Sequence, residues 1–383
     1  MRIIIGILAV ILLAGCKEKY TPKLNNATTA YLVVEGFINS SGGASTFVLT
    51  RTTRLTDPGK IVYERGAMVK ITSELGKVYP LTETSPGTYT SAALTLDKND
   101  RYRLSIQAGG KEYLSDYSKM RNTPAIDSVS WQLENNGLQL YVNTHDPKDS
   151  TRYYQWKHEQ TWEFHSSYTT SLKYSYDNQN NITGVTYRLP SRSADMSVYR
   201  CWQSEKLQSI SIGSSEKLSK DVIHAPLIQI PKNSWKVSVL YSVLVKQYAL
   251  SREAYKFFEE MKRNTEQLGS IFDAQPSANT GNLRCVTKPD EVVIGFVEVS
   301  EEKEKRLFIS AAQLPADWAY VQPCEAIQVK PNNIDTIRSM AGYLPTDPVD
   351  YAPSGAIVTL GFGTPSCIDC TLRGTNVKPS FWP

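Results

Sequence analysis

The stretch that decides the fold is Arg101-Tyr102-Arg103-Leu104-Ser105-Ile106-Gln107. Its residues alternate without a break, so that Tyr102, Leu104 and Ile106 share one face and the polar side chains share the other. This period of two predicts a half-buried β-strand. The residues that follow, Ala108-Gly109-Gly110, predict a turn into a second strand over 112–117.

The sequence on the N-terminal side of this stretch also reads as short strands separated by turn residues. The further predicted strands are 31–38, 47–54, 67–72 and 77–81. No helical period competes with them. This spacing predicts an immunoglobulin- or transthyretin-like β-sandwich over residues 31–121.

The sequence on the C-terminal side begins a second β region after the linker Arg121-Asn122-Thr123-Pro124, because proline ends a strand ladder. The predicted strands are 126–131, 138–143, 153–164, 235–246, 292–299 and 306–310. We interpret residues 125–383 as a larger, fibronectin-III-like β-sandwich, and the chain as mainly β.

One amphipathic helix interrupts the second sandwich, over 252–268. Ser251 is a good N-cap, and Gly269 is suited to the C′ position. Its apolar stripe packs on the sandwich or docks another protein. From 311 to 383 the chain reads as a loop-rich tail with a short helix near 334–340, and it needs covalent or packing restraint to stay ordered.

Composition limits the function classes. The 383 residues carry 42 Lys and Arg against 38 Asp and Glu, a net charge of +4 at pH 7. With 41% hydrophobic residues the chain is globular, and at roughly 100–200 residues per domain its length predicts two or three domains. Because no basic patch stands out, we expect no nucleic-acid partner.

The first sixteen residues, MRIIIGILAVILLAGC, predict a secretion signal. Arg2 supplies the positive start, and the apolar run 3–13 is too short to cross a bilayer as a helix. Small residues at 14 and 15 precede Cys16, an arrangement that resembles the lipobox of bacterial lipoproteins. We therefore expect a signal peptide over 1–15, a lipidated Cys16 that anchors the protein to the membrane, and a tether over 16–30.

The remaining cysteines lie in an oxidising envelope, where disulfides are expected. They are Cys201, Cys285, Cys324, Cys367 and Cys370. Five choices of the odd cysteine and three pairings of the rest leave fifteen patterns open. We expect Cys367 and Cys370 to be bridged, either to each other or to Cys285 and Cys324, which would staple the tail.

Signatures of catalysis are missing. The sequence has no Gly-x-Ser-x-Gly elbow, no His-Glu-x-x-His and no Walker loop. Cys367-Ile368-Asp369-Cys370 follows a loop and no βαβ pattern, so we interpret it as structural rather than redox-active or zinc-binding. His158 and His165 are interpreted as surface residues. We expect a non-enzymatic protein without metal or cofactor, although an acidic pair distant in sequence stays an alternative.

Residues 165–200 are rich in Tyr, Ser, Thr and Asn, a composition that recognition loops use. The candidate ligand or partner contacts are Tyr168, Tyr174, Tyr176 and Tyr187. The alternative is a solvated hairpin with ordinary edge tyrosines.

Several blocks, in this order along the chain, together carry a resemblance. They are Tyr31-Leu32-Val33-Val34-Glu35-Gly36, the run 241–258, Gly269-Ser270-Ile271-Phe272, Gln275-Pro276, Gly281-Asn282-Leu283-Arg284-Cys285, Val293-Ile294-Gly295-Phe296, Cys367-Ile368-Asp369-Cys370 and Gly374-Thr375-Asn376-Val377-Lys378-Pro379-Ser380-Phe381-Trp382. They resemble the Bacteroidota outer-membrane lipoproteins catalogued as domain of unknown function 4249. The activity of that family is not established.

The resemblance implies an outer-membrane, surface-displayed lipoprotein that acts as an accessory or ligand-binding partner of a TonB-dependent transporter. The alternative function is an adhesion or glycan-binding lipoprotein. Both are interpretations by analogy, because function resides in a site and not in a fold.

Overall fold

The computed structural model describes residues 30–53, 61–134, 137–206, 209–266, 281–330 and 333–383. The predicted signal peptide, Cys16, the tether up to residue 29 and Gly269 lie outside these residues. The described chain is mainly β, which confirms the predicted class. Within the described ranges, no helix has both the length and the apolar character that crossing a membrane would need.

The described part of residues 32–121 contains ten strands, which form most of the first β region. They are β1 (Leu32–Gly36), β2 (Ile38–Asn39), β3 (Ala44–Arg51), β4 (Val62–Tyr63), β5 (Met68–Ser73), β6 (Val78–Ser85), β7 (Thr88–Ala93), β8 (Arg101–Ala108), β9 (Lys111–Ser115) and β10 (Ser118–Arg121). Strand β8 contains the alternating stretch, and Tyr102, Leu104 and Ile106 are fully buried as predicted. It pairs with β5 and, across the turn at Gly109 and Gly110, with β9. Both glycines have positive φ, which favours glycine at this turn.

The second β region contains two larger sheets and a hairpin. Its strands are β11 (Ile126–Glu134), β12 (Gly137–His145), β13 (Tyr153–His165), β14 (Leu172–Tyr176), β15 (Ile182–Tyr187), β16 (Arg200–Lys206), β17 (Ser211–Ser214), β18 (Val222–Pro231) and β19 (Leu240–Ala249). Strands β11, β12 and β18 form one sheet, whereas β16, β13 and β19 are neighbours in the other. Trp156, Trp162 and Tyr241 of the second sheet share one apolar core with Leu140 and Ile228 of the first.

Helix α1 (Arg252–Glu266) packs against the β structure. The Ser251 hydroxyl accepts a 3.0 Å hydrogen bond from the Ala254 amide, which confirms the predicted N-cap. Ala254 and Phe257 of the predicted stripe are buried, and the ring of Phe257 lies 5.7 Å from that of Phe296. The predicted stripe therefore packs within the chain.

Three short strands correct the predicted domain boundary. They are β20 (Leu283–Cys285), β21 (Val293–Ile294) and β22 (Val299–Ser300). The strand pattern predicts residues 292–299 in the second sandwich, but β20 pairs with β9, β21 with β1, and β22 with β2 and β10. The first region is thus not confined to 31–121. Val293 and Val299 bury in its core, and strands this short have no sequence period that would indicate their partners.

The predicted strand over 235–246 is corrected at its start. Residues Trp235–Val237 form a 3₁₀ turn, and the strand begins only at Leu240. The Ser234 hydroxyl accepts from the Lys236 amide, and Ser238 donates to the Trp235 carbonyl at 2.8 Å. These serine hydroxyls satisfy backbone groups of the turn locally, so the β-ladder does not extend back beyond Leu240.

The predicted loop-rich tail contains more regular structure than expected. After β23 (Lys303–Ser310), which pairs with β19, come β24 (Ile327–Val329), α2 (Ile334–Arg338), β25 (Leu344–Tyr351), β26 (Ile357–Gly363) and α3 (Pro365–Ile368). Strands β24, β26 and β25 form a small sheet that packs on the hairpin β14–β15 through Leu172, Tyr174, Leu360 and Phe362. We call this hairpin, α2 and the small sheet the C-terminal lobe. Helix α2 lies within the predicted helix.

Candidate functional site

Two of the four predicted contact tyrosines are structural. The Tyr174 hydroxyl donates to the Met340 carbonyl at 2.6 Å, and its ring lies 6.3 Å from that of Phe362 in the lobe core. The Tyr168 hydroxyl donates to the Cys324 carbonyl at 2.9 Å. Burial raises the pKa of Tyr174 to about 12. Both phenols therefore already donate a hydrogen bond within the chain.

The other two tyrosines lie at the surface of the lobe. Tyr176 is 54% exposed, near the tip of the hairpin. Tyr187 is half-buried at the hairpin base, opposite Leu172 in the strand register. All four residues stay predicted contacts: Tyr174 is buried, Tyr168 and Tyr187 are half-buried, and Tyr176 is exposed.

Tyr187 belongs to a group that we call the aromatic trio, which is Tyr187, Arg192 and Tyr351. The Arg192 guanidinium carbon lies 5.0 Å from the centre of the Tyr187 ring. The phenols of Tyr187 and Tyr351 are hydrogen-bonded to each other, which raises the pKa of Tyr351. Tyr351 is 55% exposed. The trio therefore presents tyrosine rings and a guanidinium side by side.

The backbone holds Arg192 over the Tyr187 ring. Its φ of 56° lies in the left-handed region, and its amide donates to the Leu189 carbonyl at 3.0 Å. Arg188 and Asp195 close the same loop with a 3.0 Å ion pair. Because the guanidinium is already held over a tyrosine face, little side-chain entropy is lost when a ligand binds.

One disulfide ties the C-terminal segment to the second β region, and the other closes a loop within that segment. Among the described residues, Cys201 is bonded to Cys370, with 5.8 Å between Cα atoms, and Cys324 to Cys367, with 6.0 Å. The two C-terminal cysteines are therefore bridged, but not to each other. Cys367 is bonded to Cys324, as in the predicted alternative that joins the C-terminal pair to Cys285 and Cys324. Cys370, however, is bonded to Cys201 and not to Cys285.

Cys285 is the predicted disulfide cysteine that the structure contradicts. It is 2% exposed in the core of the first region, where it pairs with Tyr113 across β20 and β9. In the part of the chain that the structure describes it forms no disulfide. The return of 283–300 to the first region removes it from the vicinity of the other cysteines.

Glu163 organises the outer face of the sheet that contains β13. It is 3% exposed and accepts hydrogen bonds from Arg200 at 2.6 and 2.8 Å and from the Trp382 indole at 2.9 Å. Burial opposes its ionisation, but the donors Arg200, Trp382 and His165 outweigh burial and hold its pKa below the usual range. The carboxylate thus binds the last turn of the described chain to the sheet.

A cleft of about 200 Å³ opens on the same sheet. Its lining residues are Glu159, Thr161, Ser204, Glu205, Lys206, Arg306 and Phe381. It combines carboxylates, cations, hydroxyls and one aromatic ring, and sequence reasoning did not find it.

The interpretation of the histidines is wrong for His158. This residue is 2% exposed, and neither ring nitrogen has a hydrogen-bond partner among the described residues. Strand alternation places it on the inner face of β13, with Trp156 and Trp162. His165 is half-buried and lies 3.1 Å from Glu163.

Metal ligands do not converge in the described structure. Across residues 30–53, 61–134, 137–206, 209–266, 281–330 and 333–383, no group of three or more His, Cys, Asp or Glu side chains is arranged to hold an ion. Asp100, from the acidic run 97–100, is 3% exposed and accepts from the Ser73 hydroxyl and the Arg101 amide. It stabilises a turn.

Comparison with known proteins shows the family. A family model described as "Domain of unknown function (DUF4249)" matches residues 17–306. The chain belongs to this family. The predicted resemblance is thereby confirmed, although the blocks at 367–370 and 374–382 lie beyond the matched residues. No curated protein matches the sequence.

Similar solved structures are distant from this DUF4249 chain. The adhesin InvE of Yersinia pseudotuberculosis is 17% identical, with 58% of this chain and 55% of the adhesin covered and a TM-score of 0.15. The chain thus spans about half the length of that adhesin. A "putative carbohydrate binding protein" from Bacteroides uniformis ATCC 8492 is 10% identical, with 73% and 98% covered and a TM-score of 0.18. At these scores neither likeness bears on fold or function.

Sequence reasoning missed the partners of Tyr187. Arg192 follows Pro190-Ser191, a turn signal that predicts a loop but not the ring that the arginine covers. Tyr351 belongs to β25, in a segment interpreted as tail. No local pattern connects it with the hairpin.

Proposed function

We propose that this protein is a non-catalytic, lipid-anchored protein of the outer membrane, displayed at the cell surface, that binds extracellular glycans through the aromatic trio. The observation that carries the proposal is the exposed Tyr351 beside the Tyr187 ring, with Arg192 held over that ring. Sugars present an apolar ring face and many hydroxyls. A tyrosine face packs on the first, while phenol and guanidinium groups hydrogen-bond to the second.

The test is a glycan array probed with the full chain, followed by affinity measurements on any glycan that binds. Tyr351→Ala should weaken binding at least tenfold, since it removes a ring and a hydroxyl from the trio. Tyr63→Ala is the matched control, because Tyr63 is 43% exposed on the first β region, on strand β4. An array without binders, or equal affinity of Tyr351→Ala and wild type, would overturn the proposal.

Lipid anchoring rests on the sequence of residues 1–16 and on the resemblance. Cys16→Ser should abolish incorporation of a clickable palmitate analogue and release the protein from the membrane fraction. Digestion of intact cells with proteinase K should remove the wild-type protein if it faces outward. Retention of label by Cys16→Ser would contradict anchoring, and full protection from the protease would contradict surface display.

A role as accessory of a TonB-dependent transporter is the second candidate, which the resemblance implies. The exposed apolar side chains of the lobe support it, since Tyr176 is 54% and Val349 40% exposed on the lobe that carries the trio. Affinity purification of the lipidated protein in mild detergent should recover such a barrel. Tyr176→Ala should reduce recovery, and repeated absence of a barrel would exclude this candidate.

We also propose that the first region is an immunoglobulin- or transthyretin-like sandwich and the second a fibronectin-III-like sandwich. Separate apolar cores in the two regions support this division. Sheet-to-sheet packing of another kind in either region would contradict it.

A further inference from the structure

We propose that the cleft beside Phe381 is a second binding site, which takes a single neutral sugar ring. It shares no residue with the aromatic trio, and it does not depend on the trio binding a glycan.

The strand register gathers the polar groups on one face. Glu159 is opposite Lys206, and Thr161 is opposite Ser204, on β13 and β16. Leu244 of β19 lies between Glu159 and Arg306 of β23. Directly opposite residues of antiparallel strands point to the same side, so these side chains converge on the outer face of the sheet.

The outer face of the cleft carries charges of both signs. Glu159 lies 3.5 Å from Lys206. Arg306 donates to the Ser242 hydroxyl at 3.1 Å. Glu205 alternates to the other side of the strand, where it is bonded to Lys236. An anionic ligand would face Glu159, and a cationic ligand would face Lys206 and Arg306. A neutral ligand with many hydroxyls avoids both repulsions and can donate to the carboxylate and accept from the cations.

Phe381 supplies an apolar wall that is already in place. The Arg306 guanidinium carbon lies 3.6 Å from the centre of its ring and covers one ring face, while the side chain stays 40% exposed. A ligand would therefore pack on the other face. The neighbouring residue Trp382 is 5% exposed and held by Glu163. A ring fixed in this way binds the apolar face of a sugar without further ordering.

The size of the cleft limits the ligand. Its volume of about 200 Å³ is below the roughly 300–1,000 Å³ of sites for drug-sized molecules. One pyranose ring is therefore the expected occupant, with a Kd of about 1 mM for so small a ligand.

The test is saturation-transfer difference NMR of the full chain in detergent with neutral methyl glycosides, and with acetate and methylammonium as anionic and cationic probes. At least one glycoside should bind, and the charged probes should not. Phe381→Leu should weaken binding at least fivefold, because it keeps an apolar side chain but removes the flat ring. Glu159→Gln, which keeps shape and removes charge, should weaken it about threefold.

Two matched controls separate this site from the trio. Tyr351→Ala should leave glycoside binding unchanged, and so should Tyr63→Ala. If no neutral glycoside binds, if a charged probe binds instead, or if Phe381→Leu and Glu159→Gln bind as wild type does, the proposal is wrong. Loss of binding in Tyr351→Ala alone would place the glycoside at the trio and also overturn it. If Tyr351→Ala loses binding on the glycan array, that result supports glycan binding at the aromatic trio and says nothing about the cleft.

Discussion

The indole nitrogen of Trp382 donates a 2.9 Å hydrogen bond to Oε2 of Glu163. Both residues are buried, at 5% and 3% exposure. The pair connects the last described turn to the middle of the second β region, and it fixes the neighbouring Phe381. One long-range contact therefore contributes both to folding and to the wall of the cleft.

Trp382→Phe should lower the free energy of unfolding by about 1–3 kcal/mol, since it removes a donor from a buried carboxylate. Urea unfolding followed by circular dichroism measures the change. Trp318→Phe is the control, because Trp318 is only half-buried against the second core. Equal losses in the two variants would show that ring packing, and not the bond to Glu163, stabilises the segment.

The disulfide pattern predicts a specific peptide map. Digestion with endoproteinase Asp-N cuts before Asp369 and so separates Cys367 from Cys370. Without reductant, one peptide pair should contain Cys201 with Cys370, and another Cys324 with Cys367. A fragment in which Cys367 and Cys370 stay joined would contradict the structure.

Reduction of these bonds should destabilise the protein substantially. The loops close over sequence separations of 169 and 43 residues, and chain-entropy arguments assign about 5 and 4 kcal/mol to loops of such lengths. Cys201→Ser with Cys370→Ser should therefore lower the melting temperature markedly. Cys324→Ser with Cys367→Ser is the matched comparison and should cost slightly less; a larger loss there would contradict the loop-length argument.

His158 should make stability depend on pH. Burial lowers its pKa to about 4 in the folded state, against about 6.5 for an ordinary histidine. Between these values the unfolded chain binds the proton more readily, so the stability contributed by neutral His158 falls as the pH drops from 6.5 towards 4. The loss amounts to at most about 3 kcal/mol.

His158→Leu should flatten this part of the pH profile, measured as urea midpoints from pH 7 to pH 4. Near pH 7 it should be neutral or stabilising, because it replaces a buried polar ring that has no partner among the described residues. His224→Gln serves as control, since His224 is exposed. A wild-type slope in His158→Leu would show that other groups cause the dependence.

Ser251→Ala should destabilise the chain by about 1–2 kcal/mol. The hydroxyl accepts from the Ala254 amide at 3.0 Å and donates to Glu298, which is 2% exposed. Its loss therefore removes a helix cap and a donor to a buried carboxylate. Thermal unfolding measures the effect. Exposed Ser339→Ala should change stability little, and a comparable loss there would contradict the capping argument.

Local structure could be predicted from residue order. The alternation of Tyr102, Leu104 and Ile106 determined a strand and its buried face, because successive side chains point to opposite sides. Ser251 and the period after it determined the start and stripe of α1. The family blocks up to residue 306 determined the family. Each of these signals lies within a few residues of the structure that it specifies.

Pairings between distant segments came only from the tertiary structure. Residues 283–300 return to the first region, Cys370 finds Cys201, and Tyr351 meets Tyr187. His158 shows the same limit, since its polar side chain indicated the surface while its strand position buried it. Periodicity specifies which face of an element is buried, but the partner of that face depends on how all elements pack together. The aromatic trio and the Phe381 cleft exist only after that packing, so only the folded chain could show them.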